Sequence, residues 1–255
     1  MLFLKKKIIN KIETFCGSKI KKILILNNSK LVIYLKDNSK ILIVCHDNPD
    51  PDSLASAMAM KHICESIGHE ATIVHGGIIE HQQNRGMVKL LDLELRRIIL
   101  DWEIEDLIKE FDMVMCVDFN KAGANNILPS SCHPTIVIDH HTSEIRPNGE
   151  VILVRPEFAA TSSLVATIAM TSGIEITKEI ATALTFGIRT DTLGFTRSFN
   201  ELDLKALSWL REWVDWNLLR SFESPPRSKE VLEIFRLALN ELETYDNLGW
   251  KCCCI

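Results

Sequence analysis

At 255 residues the chain has room for one large α/β domain and a small appendage, and its 46% apolar and 25% charged content is that of an ordinary globular protein. A formal charge of −5 excludes a broad basic surface for tracking nucleic acid, though not a phosphate substrate, because cations held in a site reverse its local field. Charges interrupt every apolar run well before the ~18 residues of a membrane span. Residues 1–7 lack the apolar run of a secretory leader, and no CxxC pair precedes the tail, so the expected setting is a soluble, reduced, cytoplasmic protein without membrane contact.

Residues 1–40 are lysine-rich and weakly patterned, with Ile8, Ile12 and Phe15 in helical register, and are expected to form an N-terminal extension. LVIYL (31–35) reads equally as a helix capped by Asn28 or Ser29 or as a short strand. From residue 41 the pattern sharpens. ILIVC (41–45) is the apolar run of a strand buried on both faces. DNPDPD (47–52) breaks it, and SLASAMAMKHICESIG (53–68) reads as a helix closed by Gly68. ATIVH (71–75) is a second strand, ending at Gly76-Gly77; helices are expected over 84–91 and near 103–110.

MVMCVD (113–118) and TIVID (135–139) read as further buried strands, each ending on an aspartate, and VILVR (151–155) as a fifth. Helices follow over 161–171, capped by Thr161 or Ser162, and over 178–190. Residues 201–240 are wholly helical in pattern apart from the break at Pro225-Pro226. Strands alternating with helices predict an α/β fold: a parallel five-stranded sheet with helices on both faces, over 41–200, followed by a helical linker over 201–255.

In an open parallel sheet, ligands bind beyond the carboxyl ends of the strands. Here the first strand runs into His46, Asp50 and Asp52, the next into Asp118, and the next into Asp139-His140-His141; Asp191 closes the helix ending GIRTD. Any one of these motifs alone is more often chance or local capping. Four of them on one sheet edge point to a metal site, because neighbouring carboxylates cannot all stay ionised without cations between them. Mixed imidazole and carboxylate donors suit manganese better than calcium.

HDNPDPDSLASA (46–57), MCVDF (115–119), DHH (139–141) and GIRTDTLGF (187–195) resemble the four motifs of DHH-family phosphoesterases, over roughly residues 41–200. That family includes RecJ-type exonucleases, nano-RNases that also dephosphorylate adenosine bisphosphate, cyclic-dinucleotide phosphodiesterases and type II inorganic pyrophosphatases. The resemblance implies two divalent metal ions, most simply Mn²⁺. His46, Asp50 and Asp118 would hold one, and Asp52, His140 and Asp191 the other, with Asp118 bridging. It further implies that Asp139 accepts a hydrogen bond fixing a ligand imidazole. His141, free of metal, would donate to a phosphoryl oxygen or protonate the leaving group.

Softer readings attach to five more residues. AATSS (159–163) stands where relatives carry a Gly-Ala-Thr run, so Thr161 and Ser162 either face phosphate or cap a helix. HGGIIEHQQNR (75–85) is similar to a segment near the site in one branch of the family. Asn84 and Arg85 are accordingly substrate contacts or ordinary loop residues, and Arg197 is a phosphate contact or a solvent-exposed charge.

Relatives usually carry a C-terminal subdomain with a glycine-rich, substrate-gripping segment. No such segment occurs before GWKCCCI, so the subdomain is expected to be largely missing. The Cys252–Cys254 tail reads as a C-a-a-X signal, a thiol cluster or, best, an unstructured or truncated end. The expected activity is two-metal hydrolysis of a small nucleotide phosphoester, with short oligonucleotides, adenosine bisphosphate or dinucleotides as substrates. A type II pyrophosphatase-like hydrolase is the alternative, and a non-catalytic nucleotide-binding module a third reading. Small nucleotides or short single strands are the expected partners, and a homo-oligomer is compatible with all three.

Overall fold

The computed structural model describes residues 20–25, 32–36, 38–142, 147–225, 229–241, 243–247 and 250–254. The chain divides into two compact units, Met1–Glu223 and Ser224–Ile255. The first begins with an antiparallel pair, β1 (Ile20–Ile25) and β2 (Val32–Lys36). The segment that read as helix or strand is therefore a strand over its described part, while the helical register of Ile8, Ile12 and Phe15 lies outside the described residues.

A parallel sheet follows, built from β3 (Lys40–Cys45), β4 (Glu70–His75), β5 (Leu95–Arg97), β6 (Met113–Val117), β7 (Ile136–Asp139) and β8 (Val151–Val154), in the order β5-β4-β3-β6-β7-β8. It has six strands, not the expected five. The addition is the edge strand β5, three residues (Leu-Arg-Arg) paired with β4 alone. An edge strand that short carries no buried apolar run and leaves no trace in hydrophobic periodicity.

Successive residues of β3 enter two different cores, as a strand covered on both faces requires. Ile41, Ile43 and Cys45 join one cluster with Leu54, Leu164 and Leu184; Leu42 and Val44 join the other with Ile104, Leu107 and Leu128. The first face is covered by α1 (Pro51–Ser66), α4 (Thr161–Ser172) and α5 (Lys178–Asp191), the second by α3 (Asp101–Ile108) and the stretch after β6; α2 (Gln82–Leu90) follows β4. Helix α1 starts on Pro51, where a missing N–H costs nothing, with the Asp50 carboxylate accepting from Ser53 N at 3.0 Å. The chain leaves this helix through Gly68 at φ 88°.

Helix α4 departs from the carboxyl edge of the sheet and α5 returns to it, turning through Gly173 in the left-handed region. That reversal carries Asp191, the last residue of α5, back to the edge where β3, β6 and β7 end. Further helices α6 (Glu201–Leu210) and α7 (Trp216–Glu223) complete the first unit. The second unit holds α8 (Lys229–Asn240) and an antiparallel pair, β9 (Glu243–Asn247) with β10 (Trp250–Cys254). The Cys252–Cys254 backbone is thus paired strand, against the expected unstructured end: Cys252, Cys253 and Cys254 lie opposite Tyr245, Thr244 and Glu243. No helix among the described residues is long and apolar enough to cross a membrane.

Close packing at Gly187 of α5 positions the site directly. A Cβ there would collide with Ser162 Oγ and press on the Asp52 backbone at 3.1 Å. Gly187→Ala should therefore cost about 1–3 kcal/mol of stability, as overpacking in a tight interior does. Denaturant unfolding measures it, and an unchanged midpoint would show that this contact yields without strain.

Candidate metal centre

Three segments of the sheet's carboxyl edge and the end of α5 converge on two adjoining sets of donors. His46, Asp50 and Asp118 form one; Asp52, His140 and Asp191 form the other; a third grouping, Asp118, His140 and His141, overlaps both and adds the more exposed His141. Within each set, one ligand atom per residue lies within 4.8 Å of the others. His46 Nε2 is 3.4 Å from Asp118 Oδ2 and 3.8 Å from Asp50 Oδ1. His140 Nε2 is 3.1 Å from Asp191 Oδ2 and 3.9 Å from the other Asp118 oxygen, Oδ1. Asp118 thus turns one oxygen to each imidazole, as a carboxylate shared by two cations must.

The imidazoles are oriented for coordination. His46 Nδ1 donates to the Asp47 carbonyl at 2.9 Å and His140 Nδ1 to the Phe158 carbonyl at 3.2 Å. A carbonyl only accepts, so Nδ1 carries a proton on each ring, and Nε2 is the nitrogen turned to the carboxylates, where a cation would take the place of its proton. His140 Nε2 is buried and makes no well-formed hydrogen bond, an orphan that a cation would satisfy. The donor chemistry, two imidazoles and four carboxylates, fits a pair of first-row divalent ions.

Each ligand is held by its neighbours. Asp118 sits at φ 66°, in the left-handed region that aspartate tolerates at modest cost, with its N–H bonded to Ile138 O at 2.9 Å and Oδ1 accepting from Thr161 Oγ1 at 2.7 Å. Asp52 lies in the first turn of α1, yet its carboxylate also receives Thr161 N and Ser162 N, both at 2.7 Å. It therefore caps α4 from another element, where helix α4 was expected to be capped by Thr161 or Ser162; the N-cap residue is Ala160, which has no side-chain acceptor. Asp203, fully buried, takes the Ala159 N–H at 3.0 Å and fixes the approach to this turn.

Electrostatics set the cost of the arrangement. Burial raises the Asp52 pKa well above the usual carboxylate value, with Asp118 and Asp191 adding to it. Burial likewise raises Asp118, with His46 opposing. Burial alone would lower His46 and His140, but Asp118 and Asp50 carry His46 up to about 11, and Asp191, Asp52 and Asp118 carry His140 up to about 10. Asp191 is also the last residue of a helix, where the macrodipole disfavours an anion.

Asp139 is fully buried at the end of β7 and accepts from His140 N (2.8 Å), His141 N (3.2 Å) and His141 Nδ1 (2.8 Å) on one oxygen. Asn120 Nδ2 donates to its other oxygen at 2.6 Å. The ring that Asp139 fixes is thus that of His141, while the His140 ring is fixed by the Phe158 carbonyl. His141, half exposed, lies at the open side of the centre, its Nδ1 3.8 Å from Asp118.

The softer candidates separate. Thr161 and Ser162 are fully buried, with hydroxyls on Asp118 Oδ1 and, for Ser162, near Ser56 Oγ (3.2 Å). Asn84 is buried and donates to Pro49 O at 3.2 Å, bracing the first motif. Arg85 and Arg197 are exposed and contribute no lining to the cleft at the centre. That cleft, of about 490 Å³, is lined also by Asn120, Lys121, Asn125 and Asn126, which the motifs did not bring forward.

The description of the DHH family, N-terminal domain, matches residues 40–188. The chain belongs to the DHH family. A relative 34% identical over 201 residues, an uncharacterized protein of Methanocaldococcus jannaschii, aligns with 78% of the chain and 40% of its own length. A probable manganese-dependent inorganic pyrophosphatase of Bacillus licheniformis is 28% identical over 170 residues, 66% of the chain and 53% of that protein. Among solved structures, an exopolyphosphatase-related protein of Bacteroides fragilis superposes with a TM-score of 0.65 at 25% identity, covering 81% of the chain and 62% of that structure. The chain spans about half the length of these curated relatives.

The raised imidazoles generate a test of the DHH centre. Without cations His46 and His140 are protonated at pH 7, so metal binding must expel protons. Titration calorimetry with Mn²⁺ in two buffers of different ionisation heat should show proton release, and affinity falling as pH is lowered. Heats that are independent of the buffer would contradict the assigned ligands.

Proposed function

We propose that this DHH domain is a two-metal phosphohydrolase, manganese-dependent, whose substrate is a small phosphoanhydride of the inorganic pyrophosphate or short polyphosphate class. The observation that carries the reading is the two-sided Asp118: one oxygen toward His46 and Asp50, the other toward His140, with Asp52 and Asp191 completing the second set. Two divalent cations, when bound there, supply Lewis acidity to a phosphoryl oxygen and make hydroxide available as a nucleophile near neutral pH. The proposed ligands are His46, Asp50, Asp118, Asp52, His140 and Asp191, all within residues 41–200.

His141 serves as the acid. Its hydrogen bond to Asp139 raises its pKa, against burial, which favours the protonated ring. With Nδ1 held by Asp139, Nε2 is the atom from which a proton passes to the leaving phosphate oxygen. Asp139 is a positioning residue, itself held by Asn120.

Two lines support inorganic phosphoanhydride over the small-nucleotide phosphoester suggested by the motifs. Relatives bear the names of a manganese-dependent pyrophosphatase and an exopolyphosphatase-related protein. The described lining of the cleft is amides, carboxylates, imidazoles, Ala124, Thr142 and one lysine; its one phenylalanine, Phe119, is 8% exposed and leaves little face on which a base can stack. The manganese-loaded protein should cleave pyrophosphate and tripolyphosphate with higher kcat/KM than a dinucleotide or adenosine bisphosphate, and lose activity on chelation. His141→Ala should keep its metal and lose turnover roughly 10²–10⁴-fold. A dinucleotide cleaved best would return the reading to nucleotide phosphoesters.

A further inference from the structure

We infer that Lys121, with the side-chain amide of Asn125, grips the phosphoryl group of the substrate that is not being attacked, and so sets the preference for multiply charged phosphate chains. This rests on the phosphohydrolase reading above and assigns the residues that choose its substrate.

The cleft beside the metal centre is lined by carboxylates, imidazoles and amides, and Lys121 is the one lysine or arginine among the described residues of that lining. Two divalent cations carry four positive charges, which the four carboxylates of the centre already offset, so the far end of a phosphate chain needs a separate counter-charge. Lys121 is exposed and no described carboxylate forms an ion pair with it, unlike Arg155 and Arg189, which face Glu157 and Glu223. An ammonium not already committed can give its full charge and three N–H donors to an anion.

What distinguishes Lys121 from an ordinary surface lysine is the platform beneath it. On one side Asn120 donates to Asp139 Oδ2 at 2.6 Å and to the His141 carbonyl at 3.2 Å, fixing the neighbouring backbone to the Asp-His-His segment. On the other, Asn126 is buried and closes the loop on itself: Nδ2 donates to the Lys121 carbonyl at 2.8 Å, and Oδ1 accepts from Gly123 N and Leu128 N, both at 3.2 Å. The Asn125 carbonyl accepts from Asp47 N at 2.8 Å, which ties the loop to the first motif. The backbone under Lys121 is therefore registered against both ligand-bearing segments, and the Asn125 side chain is exposed on the same cleft wall. A charge mounted this way is pre-organised for the group next to the one being transferred.

The test uses the full chain loaded with Mn²⁺. Lys121→Ala should raise KM for pyrophosphate and tripolyphosphate roughly tenfold, the scale of one charge-assisted hydrogen bond, while kcat changes little. The loss should be largest for tripolyphosphate and smallest for the monoanionic bis(4-nitrophenyl) phosphate. Lys121→Arg should recover most of the affinity, and Asn125→Ala should weaken it less than Lys121→Ala. Calorimetric binding of imidodiphosphate, which is not hydrolysed, reads the same contact without turnover and should weaken by the same factor. If wild-type protein cleaves no phosphoanhydride, the phosphohydrolase reading fails, yet imidodiphosphate binding still decides the grip. Equal imidodiphosphate affinity for wild type and Lys121→Ala, or no binding by either, overturns the inference.

Discussion

Four carboxylates, those of Asp50, Asp52, Asp118 and Asp191, are gathered with two imidazoles at one edge of one sheet, and the rest of the first unit is arranged around that concentration of charge. Burying such a cluster without compensation is costly, and burial and mutual repulsion raise the pKa of Asp52 and Asp118 while the carboxylates raise those of His46 and His140. Cations placed between them remove the repulsion and displace the protons. The fold holds the donors in place with hydrogen bonds among its own residues. Asp52 joins α1 to the start of α4, and Asp118, in a left-handed backbone conformation, is clamped by Ile138 O and Thr161 Oγ1.

Small residues make these contacts possible. Gly187 lets α5 approach Ser162 and Asp52, and Gly76 leaves room for the Asp47 carboxylate and Ile127, which a Cβ would strike. Both glycines thus serve the same centre as the ligands, by leaving space that neighbouring side chains and backbone occupy. Asp203 and Asn120 do comparable work further out, fixing the turn before α4 and the buried Asp139.

Much of this was legible in the sequence because strands buried on both faces announce themselves as apolar runs, and three of the runs here lead directly into the proposed ligands His46, Asp118 and His140. The runs 41–45, 113–118 and 135–139 located the sheet edge, and the helix ending GIRTD located Asp191. What escaped has a common physical character: it depends on partners far away in the chain. β5 exists through pairing with β4 and not through its own composition. The cap of α4 is Asp52, 109 residues before Thr161. The partner of Asp139 proved to be the His141 ring, a choice between adjacent histidines that spacing does not resolve. The amides and lysine of the 120–126 loop carry no motif at all, since their alignment on the cleft comes from Asn126 folding back on Lys121.

The central claim is that Asp118 is shared by two cations. Electron paramagnetic resonance of protein loaded stepwise with Mn²⁺ tests it most directly, because two manganese ions bridged by one carboxylate lie ~3.5–4 Å apart and couple magnetically. The account predicts that the isolated-ion spectrum of the first equivalent gives way to a coupled-pair spectrum at the second, and that Asp118→Asn abolishes the coupling. A single uncoupled ion at saturation, or two ions that never couple, would contradict it.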